Sequence, residues 1–248
     1  MIKQVAVSGD LRERLLFVVK DRHNSVKMDS SEPTRAVTST FMSISIPQTL
    51  SVTGPSAGKP DDFIWRLSVD QYHEMIRAGI LTADDPVELL AGWLVYKMPK
   101  NPPHRIATRL AQQALEAVVP TGWYVDAQEP ITLNDSEPEP DVMIVRGDTR
   151  DYRDRHPGPK DVALIVEVAD STLERDRGVK RMVYARAGIP VYWIINLLEH
   201  VLEVYRDPSG PGEDADYKQR QEYGLSDSVP VVIGGLEVGR VPVRDLLP

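Results

Sequence analysis

Two apolar runs of strand length each carry one acidic residue, and those acids are where chemistry could begin. The first run, DVMIV, opens on Asp141, and the second, DVALIVEVA, holds Glu167 near its end. If the runs are neighbouring antiparallel strands, the start of one lies beside the end of the other, and both carboxylates fall at the same end of a sheet. Alternation groups Asp141 with Met143 and Val145, and Glu167 with Ile165 and Ala163. The helical pattern that follows supplies Lys180. A helix rises only about 6 Å from residue 176 to residue 180, so this lysine can reach back to the strand ends.

Taken singly, each of these residues has an ordinary explanation as a solvent-facing acid or lysine. Their combination is harder to explain that way. An unpaired acid buried among valine and isoleucine is unfavourable, and two acids at one sheet end repel. Mg²⁺ relieves both costs, because one or two carboxylates bind it at about 2.0–2.1 Å while it keeps several waters. Such an ion acidifies a bound water and stabilises charge on a phosphoryl oxygen. A neighbouring lysine orients the nucleophile or stabilises the developing negative charge. The outline is a divalent-metal hydrolysis site.

The elements that must position these residues can be read around them. Ser68 followed by VDQYHEMIRAG has an N-cap, apolar spacing at Val69, Tyr72, Met75 and Ile76, and a stop at Gly79. DDPVELLAGWLVYKMP predicts a strand pair broken near Gly92, with Glu88 inside its apolar context; a surface or edge-strand acid is the alternative for Glu88. Pro102 and Pro103 introduce a strong helix, with Ile106, Leu110, Ala114, Leu115 and Val118 at helical spacing and His104 in its first turn. WYVDAQ, DVMIVR, VALIVEV and VYWIIN read as strands, and the helix over 176–187 joins the last two. A strand, crossover helix and strand imply a parallel pair. HVLEVYR and DYKQRQEY predict a hairpin, VPVVIGGLEVG a further strand and turn, and VRDLLP a helical turn. The expected fold is α/β, a mixed sheet with helices on its faces and added hairpin strands.

Composition narrows the function. The 248-residue chain is 42% hydrophobic, enough for a packed core, and has no cysteine, which excludes disulfides, thiolate metal sites and cysteine nucleophiles. That fits a reducing compartment, and a cytoplasmic location is the expectation. No apolar stretch approaches the roughly 20 residues of a bilayer span, so no membrane partner is expected. A net charge of −8 argues against broad affinity for nucleic acid, though not against an enzyme that meets DNA through a local basic patch and a metal. Residues 1–60 are rich in Ser, Thr, Pro and Gly from Met28 onward and are expected to form a flexible tail, with residues 61–248 as the folded domain. A targeting segment and a translation start at Met28 or Met42 are alternatives for this region. The chain shows no phosphate-binding glycine loop, no histidine pair at zinc-ligand spacing, and no histidine base near Ser171.

PDV, then IVEVADST, then ERDRGVKRMVYARAGIPVYWIIN together resemble the Uma-type restriction endonuclease family of the PD-(D/E)XK nuclease superfamily. The resemblance also takes in VELLAGWLVYKMPKNPPHRIATRLAQQAL and covers roughly 65–247. It implies a restriction-endonuclease-like core and Mg²⁺ (or Mn²⁺) as cofactor. It also implies Glu88, Asp141 and Glu167 as metal ligands, and Asp141, Glu167 and Lys180 as the catalytic set. The superfamily's usual lysine, two residues after the glutamate, is Ala169 here, so Lys180 must replace it from another element. Acids usual in the first hairpin are absent at Ala91 and Trp93, and the serine-threonine turn lacks its proline.

DNA is the expected partner, with Arg177, Arg181 and His104 as candidate contacts; Arg177 and Arg181 are four apart on one helix face, where a solvated surface is the plain alternative. Cleaving both strands needs two active sites, which a homodimer would provide, though no interface is legible. A non-catalytic binding or regulatory module on the same fold, and a metal-dependent hydrolase of small phosphoesters, stand as the alternatives to an endonuclease.

Overall fold

The computed structural model describes residues 64–248; the tail expected over residues 1–60 lies outside the described residues. The elements are α1 (Val69–Arg77), β1 (Val87–Leu90), β2 (Trp93–Tyr96), α2 (Pro102–Glu116), β3 (Trp123–Asp126), β4 (Val142–Arg146) and β5 (Val162–Ala169). Then come α3 (Leu173–Arg175), a π-helical turn over Asp176–Lys180, α4 (Arg181–Ala187), β6 (Val191–Asn196), β7 (Val201–Pro208), β8 (Tyr217–Tyr223), β9 (Ser228–Ile233) and β10 (Leu236–Pro242). Among the described residues no helix is long and apolar enough to cross a membrane.

Six strands form one mixed sheet in the order β3-β4-β5-β6-β7-β8. All neighbours are antiparallel except β5 and β6, which the helical segment connects in parallel. β1–β2 and β9–β10 are separate hairpins. The sheet is covered on both sides, which is why β5 and β6 read as unbroken apolar runs. On one face Val166, Trp193 and Val204 pack with Ala107, Ala111 and Leu115 of α2 and with Val229 and Val231 of β9. On the other, Met143, Ile165, Ile194 and Tyr205 pack with Val183 and Tyr184 of α4.

Every residue of β5 is buried. Seven of them are apolar, and each fully buried larger side chain stabilises the fold by about 1.5–3 kcal/mol. That apolar gain is what lets the strand carry Glu167 inside. The expected alternation fails at one position. A bulge falls where Ile144 pairs with Leu164 and Val145 with Val162, and it turns Ala163 onto the α2 side, away from Ile165.

The β1–β2 turn requires left-handed backbone at both central positions, Ala91 (φ 49°) and Gly92 (φ 81°), which suits the twist of a two-residue hairpin. At Gly92 a side chain is also excluded by space, since a Cβ would come 2.6 Å from the Cβ of Arg66. α1 begins at a reciprocal cap between Ser68 and Gln71 and packs Val69 and Tyr72 against Leu89 of β1. This places the strand that carries Glu88.

Candidate active site

Asp141 stands immediately before β4, Glu167 lies in β5, and the β4–β5 register continues to set the two side by side. Glu88 comes from β1, Lys180 from the end of the π-helical turn and His104 from the first turn of α2. All five line one cleft of about 80 Å³ together with Lys100, Arg175 and Asp176. The four charged residues expected there are buried: Glu88 is 3% exposed, Asp141 5%, Glu167 3% and Lys180 7%.

Hydrogen bonds fix the carboxylates individually. Asp141 Oδ2 accepts from the Val168 amide at 2.9 Å and lies 3.1 Å from His104 Nε2, while its Oδ1 faces the Lys100 ammonium at 3.6 Å. Glu167 Oε1 accepts from Lys180 Nζ at 2.8 Å and from the Tyr184 hydroxyl at 2.7 Å. Lys180 Nζ is also 3.8 Å from Glu88 Oε1, and Arg175 approaches the same oxygen at 4.0 Å. Glu88 Oε2 accepts from the Glu139 amide at 3.3 Å. Tyr184 packs in the core and in addition orients Glu167 through its hydroxyl.

The two central carboxyls are pushed apart. Burial is the largest influence on Glu167 and, with the charges of Asp141 and Asp176, outweighs Lys180 to raise its pKa to about 8. Burial also raises Asp141, but hydrogen bonding and charge from His104, the Val168 amide and Lys180 outweigh it and hold that carboxyl below its ordinary value. Asp176, hydrogen-bonded by Thr172 Oγ1 at 2.7 Å, is raised by burial despite Lys180. Burial alone would lower Lys180; the charges of Glu167, Glu88 and Asp176 raise it instead.

Lys180 reaches the site by a route the sequence reading did not contain. A continuous helix was expected over 176–187, but the chain forms a π-helical turn over Asp176–Lys180, with Gly178 at φ −102°, ψ −106° inside it. The segment is kinked at Gly178, whose backbone is not helical, and both Asp176 and Lys180 are buried in it, as residues four apart on one helix face can be.

The remaining candidates divide. His104 faces Asp141. Arg177 and Arg181 lie outside the cleft lining: Arg177 forks onto the buried Glu203 and onto Glu199, and Arg181 pairs with Asp216 at 3.1 Å and lies over the Tyr205 ring. Sequence reasoning did not single out Lys100, Arg175 or Asp176 for the cleft. Only the charge of KMPK and ERDR signalled them, and nothing gave their direction.

The donor set suits a hard divalent cation. Asp141 Oδ1 and Glu167 Oε2 each accept no hydrogen bond among the described residues, and the cavity has room for an ion with some of its waters. Among the described residues no three Asp, Glu or His side chains already stand at ligand spacing around one point. The expected set of Glu88, Asp141 and Glu167 is therefore not assembled at joint ligand spacing.

A mixed sheet with buried acids converging at one end of its central strands defines a nuclease-like α/β protein. The solved structure of "a putative nuclease belonging to DUF820" from Anabaena variabilis shares this fold: the TM-score is 0.53 at 15% identity, over 73% of this chain and 97% of that one. No curated protein matches. Residues 69–238 match the family Uma2, described as "Putative restriction endonuclease", and the chain belongs to that family.

Proposed function

We propose that the chain is a metal-dependent endonuclease of the PD-(D/E)XK type, hydrolysing phosphodiester bonds of DNA with Mg²⁺ or Mn²⁺. The observation that carries this is the Lys180 ammonium, buried within 2.8 Å of Glu167 and 3.8 Å of Glu88, with Asp141 in the same cleft. Asp141 and Glu167 would hold the ion, with Glu88 beside them. When bound, it would supply Lewis-acid polarisation of the phosphate and acidify a water.

The protein's own groups have separable tasks. Lys180 keeps its proton, because three carboxylates surround it, so it cannot accept one from water. It serves as a fixed positive charge and hydrogen-bond donor toward negative charge developing on a phosphate. Tyr184, whose phenol burial holds well above its ordinary pKa, stays a donor and fixes the rotamer of Glu167. His104 Nε2 holds Asp141 by its Oδ2, the oxygen that also accepts from the Val168 amide.

A second reading, a non-catalytic module on the same fold, is favoured by one feature: Lys180, Tyr184, His104 and the Val168 amide already engage these carboxylates. Incubation of supercoiled plasmid with the full chain in Mg²⁺, Mn²⁺ or EDTA separates the two. Nicking that requires the metal is expected, and absence of nicking with every metal and substrate sequence tried would favour the module.

A further inference from the structure

Beside the cleft runs a second, larger groove of about 560 Å³ between α2 and the segment that follows β3, lined by Arg105, Ile106, Thr108, Arg109, Asp126 and Gln128 among others. The groove and the cleft share structure. Thr108, in the groove lining, donates its hydroxyl to the His104 carbonyl at 3.0 Å and lies 3.4 Å from His104 Nδ1. On the other wall, the Gln128 amide donates to the Pro140 carbonyl at 3.1 Å, next to Asp141.

The charge here runs against that of the chain. The protein carries a net −8, yet residues 89–115 contain Lys97, Lys100, Arg105 and Arg109 and no acid. Arg105 and Arg109 are exposed and lie one helical turn apart, about 6 Å along the axis. Arg109 donates only to the neutral Gln112, and the Arg105 guanidinium has no hydrogen-bond or ion-pair partner among the described residues. By contrast, Arg177 and Arg181 are both neutralised by acids. The one acid among the described residues of the groove lining, Asp126, accepts from the Ala127 amide.

We infer that this α2 groove seats the phosphate backbone of duplex DNA, with Arg105 and Arg109 contacting successive phosphates and leading the strand to the cleft. The inference rests on the endonuclease reading and adds where the substrate lies. Guanidinium forks match phosphate oxygens. Among the described residues the groove lining holds no aromatic on which a splayed single-stranded base could stack, so the surface suits a stacked duplex read through its backbone.

The test is duplex binding by the full chain in EDTA, measured by fluorescence anisotropy across 50–200 mM salt. The comparison is wild type against Arg105→Gln/Arg109→Gln and, as a charge-matched control, Arg240→Gln/Arg244→Gln on the β9–β10 side. Each lost phosphate contact lowers the log–log salt slope by about 0.9, so the double variant should lose about 12-fold less affinity than wild type over that range. The control should keep the wild-type slope. An unchanged slope in the Arg105/Arg109 variant, no duplex binding by wild type, or equal competition by polyglutamate at matched charge would each overturn the inference. A preference for single-stranded DNA would overturn its duplex form. Because binding is measured without metal, a protein that binds as described but never nicks supports the groove and refutes the catalytic reading. A protein that nicks with an unchanged slope does the reverse.

Discussion

Glu167→Gln tests the electrostatics of the cleft quantitatively. The folded Glu167 carboxyl titrates at about 8 against 4.5 for the ordinary side chain, mainly because β5 buries it. A folded pKa above the unfolded one contributes stability that is complete below pH 4.5 and is lost as pH rises through 8. The loss approaches about 1.4 kcal/mol per pH unit and reaches several kcal/mol across the window. Glutamine keeps the shape and cannot ionise, so the variant should match wild type near pH 4.5 and exceed its stability by several kcal/mol near pH 8.5. Asp176, also raised by burial, and Lys180, raised by charges that include Glu167, respond to this group, so the prediction is the sign of the difference and its growth with pH. Urea unfolding followed by circular dichroism, in EDTA from pH 4.5 to 8.5, gives both curves. Parallel profiles would refute the picture of a carboxyl whose ionisation burial disfavours.

Asp141→Ala removes the acceptor of the Val168 amide and the partner of His104; calorimetric titration should show Mn²⁺ binding lost with the circular dichroism spectrum intact, and unchanged affinity would rule Asp141 out as a ligand. Arg177→Ala leaves Glu203, whose pKa Arg177, Tyr205 and Asn196 hold down at about 2 against its burial, with Arg220 as its remaining cation. A stability loss approaching the about 3–5 kcal/mol of a broken buried pair is expected in urea unfolding, whereas a loss confined to DNA affinity would make Arg177 a surface contact. Gly92→Ala places a Cβ 2.6 Å from that of Arg66 at φ +81°. It should destabilise the protein by about 2 kcal/mol or more, and an unchanged melting temperature would show that the β1–β2 turn tolerates a side chain there.

The strands and the placement of the acids were legible because they depend on local pattern. DVMIV and VALIVEV read as strands, and antiparallel pairing alone brings Asp141 beside Glu167. What the pattern could not hold was long-range or aperiodic. The bond from His104 to Asp141 joins residues 37 apart and leaves no mark in either segment. Tyr184 packs its ring in the core, so nothing in an apolar pattern sets apart the hydroxyl that reaches Glu167. The π-helical turn at Gly178 escaped notice because a single glycine in a helical run marks no particular distortion. The bulge that turns Ala163 onto the α2 side escaped for a similar reason, since small apolar residues suit either face. The basic groove on α2 was in the sequence as an acid-free stretch, but its meaning depends on where α2 lies relative to Asp141.

The central claim, that the buried lysine and acids hydrolyse phosphodiesters together, is tested most directly by single-turnover nicking of supercoiled plasmid in Mn²⁺ by wild type and Lys180→Met. Removing a charge aimed at the transition state should slow nicking by about 10²–10³-fold while Mn²⁺ binding persists. Equal nicking by the two proteins would contradict the account and place the chemistry elsewhere.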